Sequence, residues 1–372
     1  MENETAADGT VTHGARQGDS GKMDLGCSAN TIYLWPFQNS EERKGVVMKK
    51  VRIACISGWQ TRANDFAVKA NSYPESDTVA VWDEDVERGR RTAEAVGCRF
   101  EGDLDRLLSS PDIDAVIITS APTAHARHII SAAKAGKHIF VEKPLCITNE
   151  DAYAIRDAVQ ASGVHFTLSD PIIKPALVQV KKMMDSGVIG RVTSARSRVS
   201  FGVLVDEALQ DPERVKRAVQ FGGALGDSHT VHILSWLLGK PVSSTAIFQK
   251  DPGGQTDVNT VAVYQFESGA IGVAEACIVA EGCPYALEVY GTGGAIFSNK
   301  DAVYYKLGAG EWRKVPDKEL PEPMTYILHY WVKSICNDEP NDFYTIEDGV
   351  HAVQMQNAAR KAAGQAVPVE WI

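Results

Sequence analysis

Between residues 51 and 168, short apolar runs alternate with helix-like stretches, and this repetition restricts the possible folds more than any other feature of the chain. Strands are predicted at 51–56, 78–82, 114–119, 139–141 and 165–168, with a short one around Arg99 and Phe100. Helices are predicted between them: a mixed segment to about Ser72, then 84–96, a short one near 104–108, and 123–135, which is stopped by Gly136. Thr148 and Asp151 form a capping box for a further helix to about Ser162. The run 114–119 has no polar alternation, which suits a strand covered on both faces. Alternating elements of these lengths make a parallel, doubly wound α/β sheet. In such a sheet, ligands sit beyond the carboxyl ends of the strands.

After Pro171 the pattern changes. A helix at 175–186 ends at Gly187, and longer strands of alternating polarity follow at 192–201, 243–249, 259–266, 270–279, 286–290 and 303–307. Alternation of this kind marks a half-buried, mainly antiparallel sheet. A helix is predicted at 226–238, and two more close the chain at 325–336 and 345–363, the last with a Thr345/Asp348 capping box. The expected organisation is a doubly wound domain at 48–170 and an α+β domain at 171–372.

Residues 1–47 are rich in Gly, Ser, Thr and Asn and show no periodicity, so they are expected to be disordered. They contain neither an apolar leader core nor a twin arginine. In the run 41–48, Glu, Lys, Gly and one codon family of Arg are encoded by purine-rich codons, so it reads as a translated ribosome-binding site before a true initiator at Met48. A flexible regulatory arm is the alternative, and the first reading is preferred. A chain starting at Met48 is expected to fold and act like the full one, and loss of either on truncation would overturn that reading.

The formal charge of −10 argues against a nucleic-acid partner, which normally meets a basic surface. No apolar run approaches the roughly 18 residues of a membrane span. The 7 cysteines are scattered without a Cys-x-x-Cys, the pattern of reduced thiols in a cytoplasmic protein.

The strand at 139–141 delivers Glu142, Lys143 and Pro144 to the ligand edge of the sheet. An exposed Glu-Lys pair is the plain reading of such a tripeptide. Its position after four βα units, with Pro144 keeping Lys143 out of the α region, favours a site lysine instead. The first βα turn reads Ser57-Gly58-Trp59-Gln60-Thr61-Arg62, with one glycine where a dinucleotide cradle normally has three. Arg62 is open to two readings, pairing with phosphate or lying exposed on a helix. Asp83 ends the second strand where an acid accepts hydrogen bonds from the adenosine ribose, which favours NAD over NADP; turn initiation is its alternative. Ser120 and Pro122 follow the fourth strand and border the same edge, while His125 reads as structural. Further along, 222–232 brings a Gly pair, then Asp227, His229 and His232. Asp227 as a helix cap and His232 facing a core are the plain readings. The two histidines, three apart, are expected on one helix face, and no third residue has metal-ligand spacing.

On these motifs the chain from Met48 onward resembles the Gfo/Idh/MocA (glucose–fructose oxidoreductase/inositol dehydrogenase) family. The stretch 135–145, the Gly187-x-x-Gly190 turn and the helix beginning Thr345-x-Glu347-Asp348-Gly349 carry the resemblance. It implies an NAD-binding Rossmann domain, NAD as cofactor, and an α+β domain whose sheet often forms a homodimer or homotetramer interface. It also implies dehydrogenation of a sugar, inositol or related polyol. Aligned on Trp236, His229 falls on the family's catalytic histidine, and through the Glu142-Lys143-Pro144 match Lys143 falls on its lysine. Ser57, Gly58, Trp59, Asp83, Ser120, Pro122, Glu142 and Lys143 are the implied cofactor contacts. Asp227 precedes His229 by two residues, where the family's acid precedes by four, and Ile172 stands near a usual substrate arginine. A catalytically inactive dinucleotide- or sugar-binding regulator is the rival reading, supported by the degenerate turn. Redox-assisted glycoside cleavage is a third.

Overall fold

The computed structural model describes residues 50–169, 174–204, 206–227, 229–280, 285–299, 301–320, 327–339 and 344–363. The chain divides into Met1–Val47 and Met48–Ile372, and everything below concerns the second unit. The expectation for residues 1–47 and the position of Ile172 lie outside the described residues.

The first sheet contains β1 (Val51–Ile56), β2 (Ser76–Trp82), β3 (Arg99–Phe100), β4 (Ala115–Ile118), β5 (His138–Glu142) and β6 (Phe166–Ser169). All neighbours are parallel and the order is β3-β2-β1-β4-β5-β6. That order reverses direction between β1 and β4, which opens a crevice at their carboxyl ends. The helices between the strands are α1 (Ala63–Ser72), α2 (Val86–Val96), α3 (Leu104–Ser109), α4 (Pro122–Lys134) and α5 (Asn149–Ser162). Helix α2 starts two residues later than expected because Asp85 caps it, accepting from the Arg88 N–H. The core between the layers is apolar and closed: Ile53, Ile56, Ile117 and Phe140 are fully buried.

Helix α6 (Pro175–Asp185) leads into the second sheet. Its strands are β7 (Val192–Ser200), β8 (Pro241–Lys250), β9 (Asp257–Phe266), β10 (Ile271–Cys277), β11 (Ala286–Gly291), β12 (Gly294–Asn299), β13 (Val303–Leu307) and β14 (Arg313–Lys314). The order is β14-β13-β12-β11-β7-β10-β9-β8, antiparallel except for β7 with β10. Strands β12 and β14 went unread in the sequence, the first because Gly294 and Ala295 dilute its pattern and the second because two residues carry none. Helices α7 (Pro212–Phe221), α8 (Gly223–Asp227) and α9 (Thr230–Leu238) precede β8, and α10 (Ile327–Asn337) and α11 (Ile346–Ala362) close the chain.

Two expectations need correction here. The helix expected at 226–238 is two helices, and His229 is the residue before α9, with φ −91° and ψ 1°. His229 and His232 therefore do not share a helix face. The second correction is α7, which was not expected. Asp211 caps it, accepting from the Glu213 N–H, and Gly222 ends it at φ +80°. Helix α10 also returns to the first sheet, where the Trp331 ring lies tilted 5.7 Å from Phe140 and His329 meets Glu75 at 3.0 Å.

Candidate active site

The turn after β1 is held by side-chain oxygens where a glycine-rich turn would rely on backbone freedom. Ser57 takes the left-handed conformation, φ +69°, that favours glycine. Its N–H donates to the Trp82 carbonyl at 2.7 Å and its hydroxyl to Glu84 at 2.9 Å. Three successive turn N–H groups have protein acceptors: Gly58 donates to Asp83 Oδ2 (2.8 Å), Trp59 to Ser57 Oγ (3.1 Å) and Gln60 to the Thr119 carbonyl (2.9 Å). Gly58 is closely packed: a Cβ there would lie 3.1 Å from Asp83 Oδ2, which would have to give by a few tenths of an ångström.

Asp83 is at the end of β2, as the sequence places it, but it faces inward. It is 3% exposed, and Arg88 binds it bidentately, Nε to Oδ2 at 2.9 Å and Nη2 to Oδ1 at 2.6 Å. The Asp85 N–H also donates to Oδ1 at 2.8 Å. Glu84, partly exposed, shares Arg88 at 2.8 Å. Asp83 thus ties the turn after β1, through Gly58, to the start of α2, through Asp85 and Arg88. Ser120 is likewise tied inward: its hydroxyl pairs with His128 Nδ1 at 2.9 Å and its carbonyl with His125 Nε2 at 2.9 Å. Pro122 is the first residue of α4. His125 is fully buried and straps the loop after β4 to the carbonyls of Pro144 and Leu145 at 3.0 and 3.1 Å. Burial lowers its pKa to about 4 while those carbonyls pull the other way. Its role is structural, as expected.

Glu142 and Lys143 leave the end of β5 into a cavity of about 440 Å³. Gln60, Arg62, Lys143, Arg217, Phe221 and His229 are among its lining residues. Glu142 is 3% exposed, and burial raises its pKa, so its carboxyl favours the protonated form more than an ordinary glutamate would. The Lys143 carbonyl accepts from Gln60 Nε2 at 3.2 Å, and its ammonium lies 5.6 Å from the centre of the Phe221 ring. His229 enters from the second domain. Its ring stacks on Tyr285 (6.0 Å between centres, 28° between planes), and Lys174 lies 3.7 Å over that tyrosine. His232 is elsewhere: it is 2% exposed, stacks on Tyr344 at 5.7 Å and is hydrogen-bonded to the Tyr344 hydroxyl through Nδ1. Asp227 ends α8, and its side chain lies outside the described residues.

The Gly pair positions His229. The Gly222 carbonyl accepts from Arg360 Nη2 of α11 at 2.6 Å, and Asp257 of β9 accepts from the Leu225 N–H at 3.1 Å. Sequence reasoning missed Arg217, Phe221 and Tyr285. Asp211-Pro212 before a charged run and Gly222 after it were the available signals for α7. Among the described residues, no three His, Cys, Asp or Glu side chains gather in a way that could hold a metal ion.

Residues 51–169 match the oxidoreductase family with an NAD-binding Rossmann fold, and residues 177–297 match the GFO/IDH/MocA C-terminal domain. Scyllo-inositol 2-dehydrogenase (NAD(+)) of Bacillus subtilis is 32% identical over 240 residues, covering 61% of this chain and 67% of that protein. The chain belongs to the Gfo/Idh/MocA oxidoreductase family. Other members of the family align in part or throughout. Levoglucosan dehydrogenase of Pseudarthrobacter phenanthrenivorans is 30% identical over 52% of this chain and 57% of its own length. The 1,5-anhydro-D-fructose reductase of Ensifer adhaerens is 26% identical over 85% of this chain and 98% of its own. A solved levoglucosan dehydrogenase in complex with NADH has the same fold, with a TM-score of 0.74 at 24% identity, over 84% of this chain and 97% of that one. As in that family, a parallel NAD-binding domain is followed by a mainly antiparallel sheet. No helix among the described residues is long and apolar enough to cross a membrane.

Proposed function

We propose that the protein catalyses reversible hydride transfer between nicotinamide and a carbinol carbon of a sugar, inositol or related polyol. The observation that carries this reading is a single cavity lined by both Lys143, from the first sheet, and His229, from the second domain. NAD, when bound, supplies the hydride acceptor. The crevice suits it: the sheet reverses order there, Gly58 keeps the turn narrow, and Arg62 and Arg217 add cations for a diphosphate. Lys143 stabilises negative charge developing on the substrate oxygen and relays its proton. His229 takes the hydroxyl proton, since an imidazole's ordinary pKa is near working pH. Asp227, the last residue of α8, orients a histidine. The names of the relatives, an inositol dehydrogenase and a levoglucosan dehydrogenase among them, support a polyol or sugar substrate. The test is NADH formation across a panel of polyols and sugars; no turnover on any of them would sink the reading. Product analysis with a glycoside separates simple dehydrogenation from redox-assisted cleavage.

Residues 48–170 serve as the NAD-binding domain and 171–372 as the substrate and oligomerisation domain. A homodimer or homotetramer through the second sheet is supported by Ile247 (69% exposed), Val261 and Ile271, which lie exposed on its strands, while α9 and α11 pack on the sheet. The free thiols of Cys55, Cys98, Cys146, Cys277 and Cys336 agree with a reducing compartment.

NAD should be used better than NADP by roughly tenfold or more in kcat/KM. Asp83, Glu84 and Asp85 crowd three carboxylates onto the end of β2 against the one guanidinium of Arg88. A 2′-phosphate there meets like charge. Asp83→Ser releases Arg88 toward that phosphate and should narrow the preference. A wild-type protein that prefers NADP would show the charge assignment to be wrong.

A further inference from the structure

We propose that Arg217, on the second domain's α7, binds the diphosphate of the cofactor together with Arg62, and so supplements a turn after β1 in which three successive backbone N–H groups are already engaged. The inference rests on the dinucleotide reading of the crevice and adds a binding residue to it.

A glycine-rich turn holds a diphosphate through backbone N–H groups at a helix N-terminus. Here the N–H groups of Gly58, Trp59 and Gln60 already have acceptors in Asp83, Ser57 and Thr119. Bonding diphosphate oxygens through them would require breaking contacts that hold Ser57 in its left-handed conformation and Asp83 in its buried pair.

Cationic side chains surround the same turn. Arg62 precedes α1 as its capping residue, so its charge adds to the positive end of that helix. Arg217 comes from α7. Its Nη2 donates to the Trp59 carbonyl at 2.8 Å, and its guanidinium lies 4.1 Å over the Trp59 ring and 5.7 Å from Phe221. The two rings are 5.0 Å apart. Stacking engages the faces of a guanidinium and fixes its plane, while its N–H donors lie in that plane; one is spent on the Trp59 carbonyl, and an in-plane fork is the geometry suited to phosphate oxygens. Arg62 and Arg217 line the same cavity, so two positive charges face the position of two negative ones. A carboxylate on the substrate would use the same guanidinium chemistry. The bond to the carbonyl of Trp59, a turn residue, favours the diphosphate.

Direct binding to the full chain tests this, with NADH, ADP-ribose and adenosine as probes. Each hydrogen bond to a charged group is worth enough that Arg217→Ala should weaken NADH and ADP-ribose by roughly 10- to 100-fold. Adenosine, which has no diphosphate, should bind within about twofold of wild type, which also shows that the variant is folded. Arg217→Lys keeps the charge without the planar fork and should recover part of the loss. The salt dependence of NADH binding should flatten in Arg217→Ala. Unchanged NADH and ADP-ribose affinities in Arg217→Ala, with wild type binding both, would overturn the inference alone. Unchanged cofactor binding with a raised KM for an acidic sugar would also overturn it and assign Arg217 to the substrate. If wild type binds neither NADH nor ADP-ribose, the dinucleotide reading fails first and the inference with it.

Discussion

Lys143→Ala and His229→Ala are each expected to lower kcat by roughly 10²–10⁴-fold, the usual worth of a positioned acid–base group, while NADH affinity changes little. In the proposed mechanism Lys143 would stabilise charge that exists fully only as the oxygen loses its proton, and His229 would act on that same proton. Both interactions therefore belong mainly to the transition state, so their loss appears in turnover more than in binding. The two residues line one cavity, and the proposed mechanism has them act as a unit on one substrate oxygen. The double variant should accordingly lose less than the product of the single losses. His232→Ala should affect turnover less, since that ring is buried against Tyr344 away from the cavity. Turnover that survives removal of both Lys143 and His229 would end this mechanism. NADH binding without turnover on any polyol would instead favour the regulatory rival.

Gly223→Ala should destabilise the protein by roughly 2–5 kcal/mol and carry activity down with it. Two costs add. Gly223 has φ +71°, where a side chain is strained, and an added Cβ would meet Asp257 Oδ1 at 2.1 Å. Asp257 has little freedom to retreat, because Oδ2 accepts from the Leu225 N–H and the Thr260 hydroxyl, both at 3.1 Å. The displaced turn leads directly to His229, so kcat should fall even in the fraction that stays folded. Urea unfolding measures the first effect and kcat at saturating substrate the second. A loss under about 0.5 kcal/mol with normal kcat, the range of an ordinary surface change, would show that the turn does not hold His229 in place.

Much of the fold was legible because it is local. Periods of two and 3.6 residues, helix caps such as Thr345 with Asp348, and stops such as Gly136 and Gly187 report the backbone state of neighbouring residues. Alternating strands and helices then leave few topologies, since parallel crossovers take one hand. The chemistry-bearing residue types were legible as well: Lys143 at a strand end and His229 beyond a Gly pair both reach the cavity. Their readings as single motifs were less complete. Asp83 was placed correctly at the end of β2, yet its inward pairing with Arg88 depends on a bidentate geometry that spacing does not show. His229 and His232 are three apart in sequence, but the break between α8 and α9 sends one to the cavity and the other to Tyr344.

What the sequence determined by itself is the order of elements, the parallel and mainly antiparallel halves, the strand-end lysine and the glycine-poor turn. Tertiary structure alone decided what compensates for that turn. Arg217 meets Trp59 across 158 positions of chain, and α7 is amphiphilic enough to form but carries no mark of the surface it will cover. Periodicity records which way a side chain points relative to its own neighbours. Only packing the two domains together brings a guanidinium from one over the turn of the other, because that contact follows from the shapes of both surfaces and is encoded in neither segment.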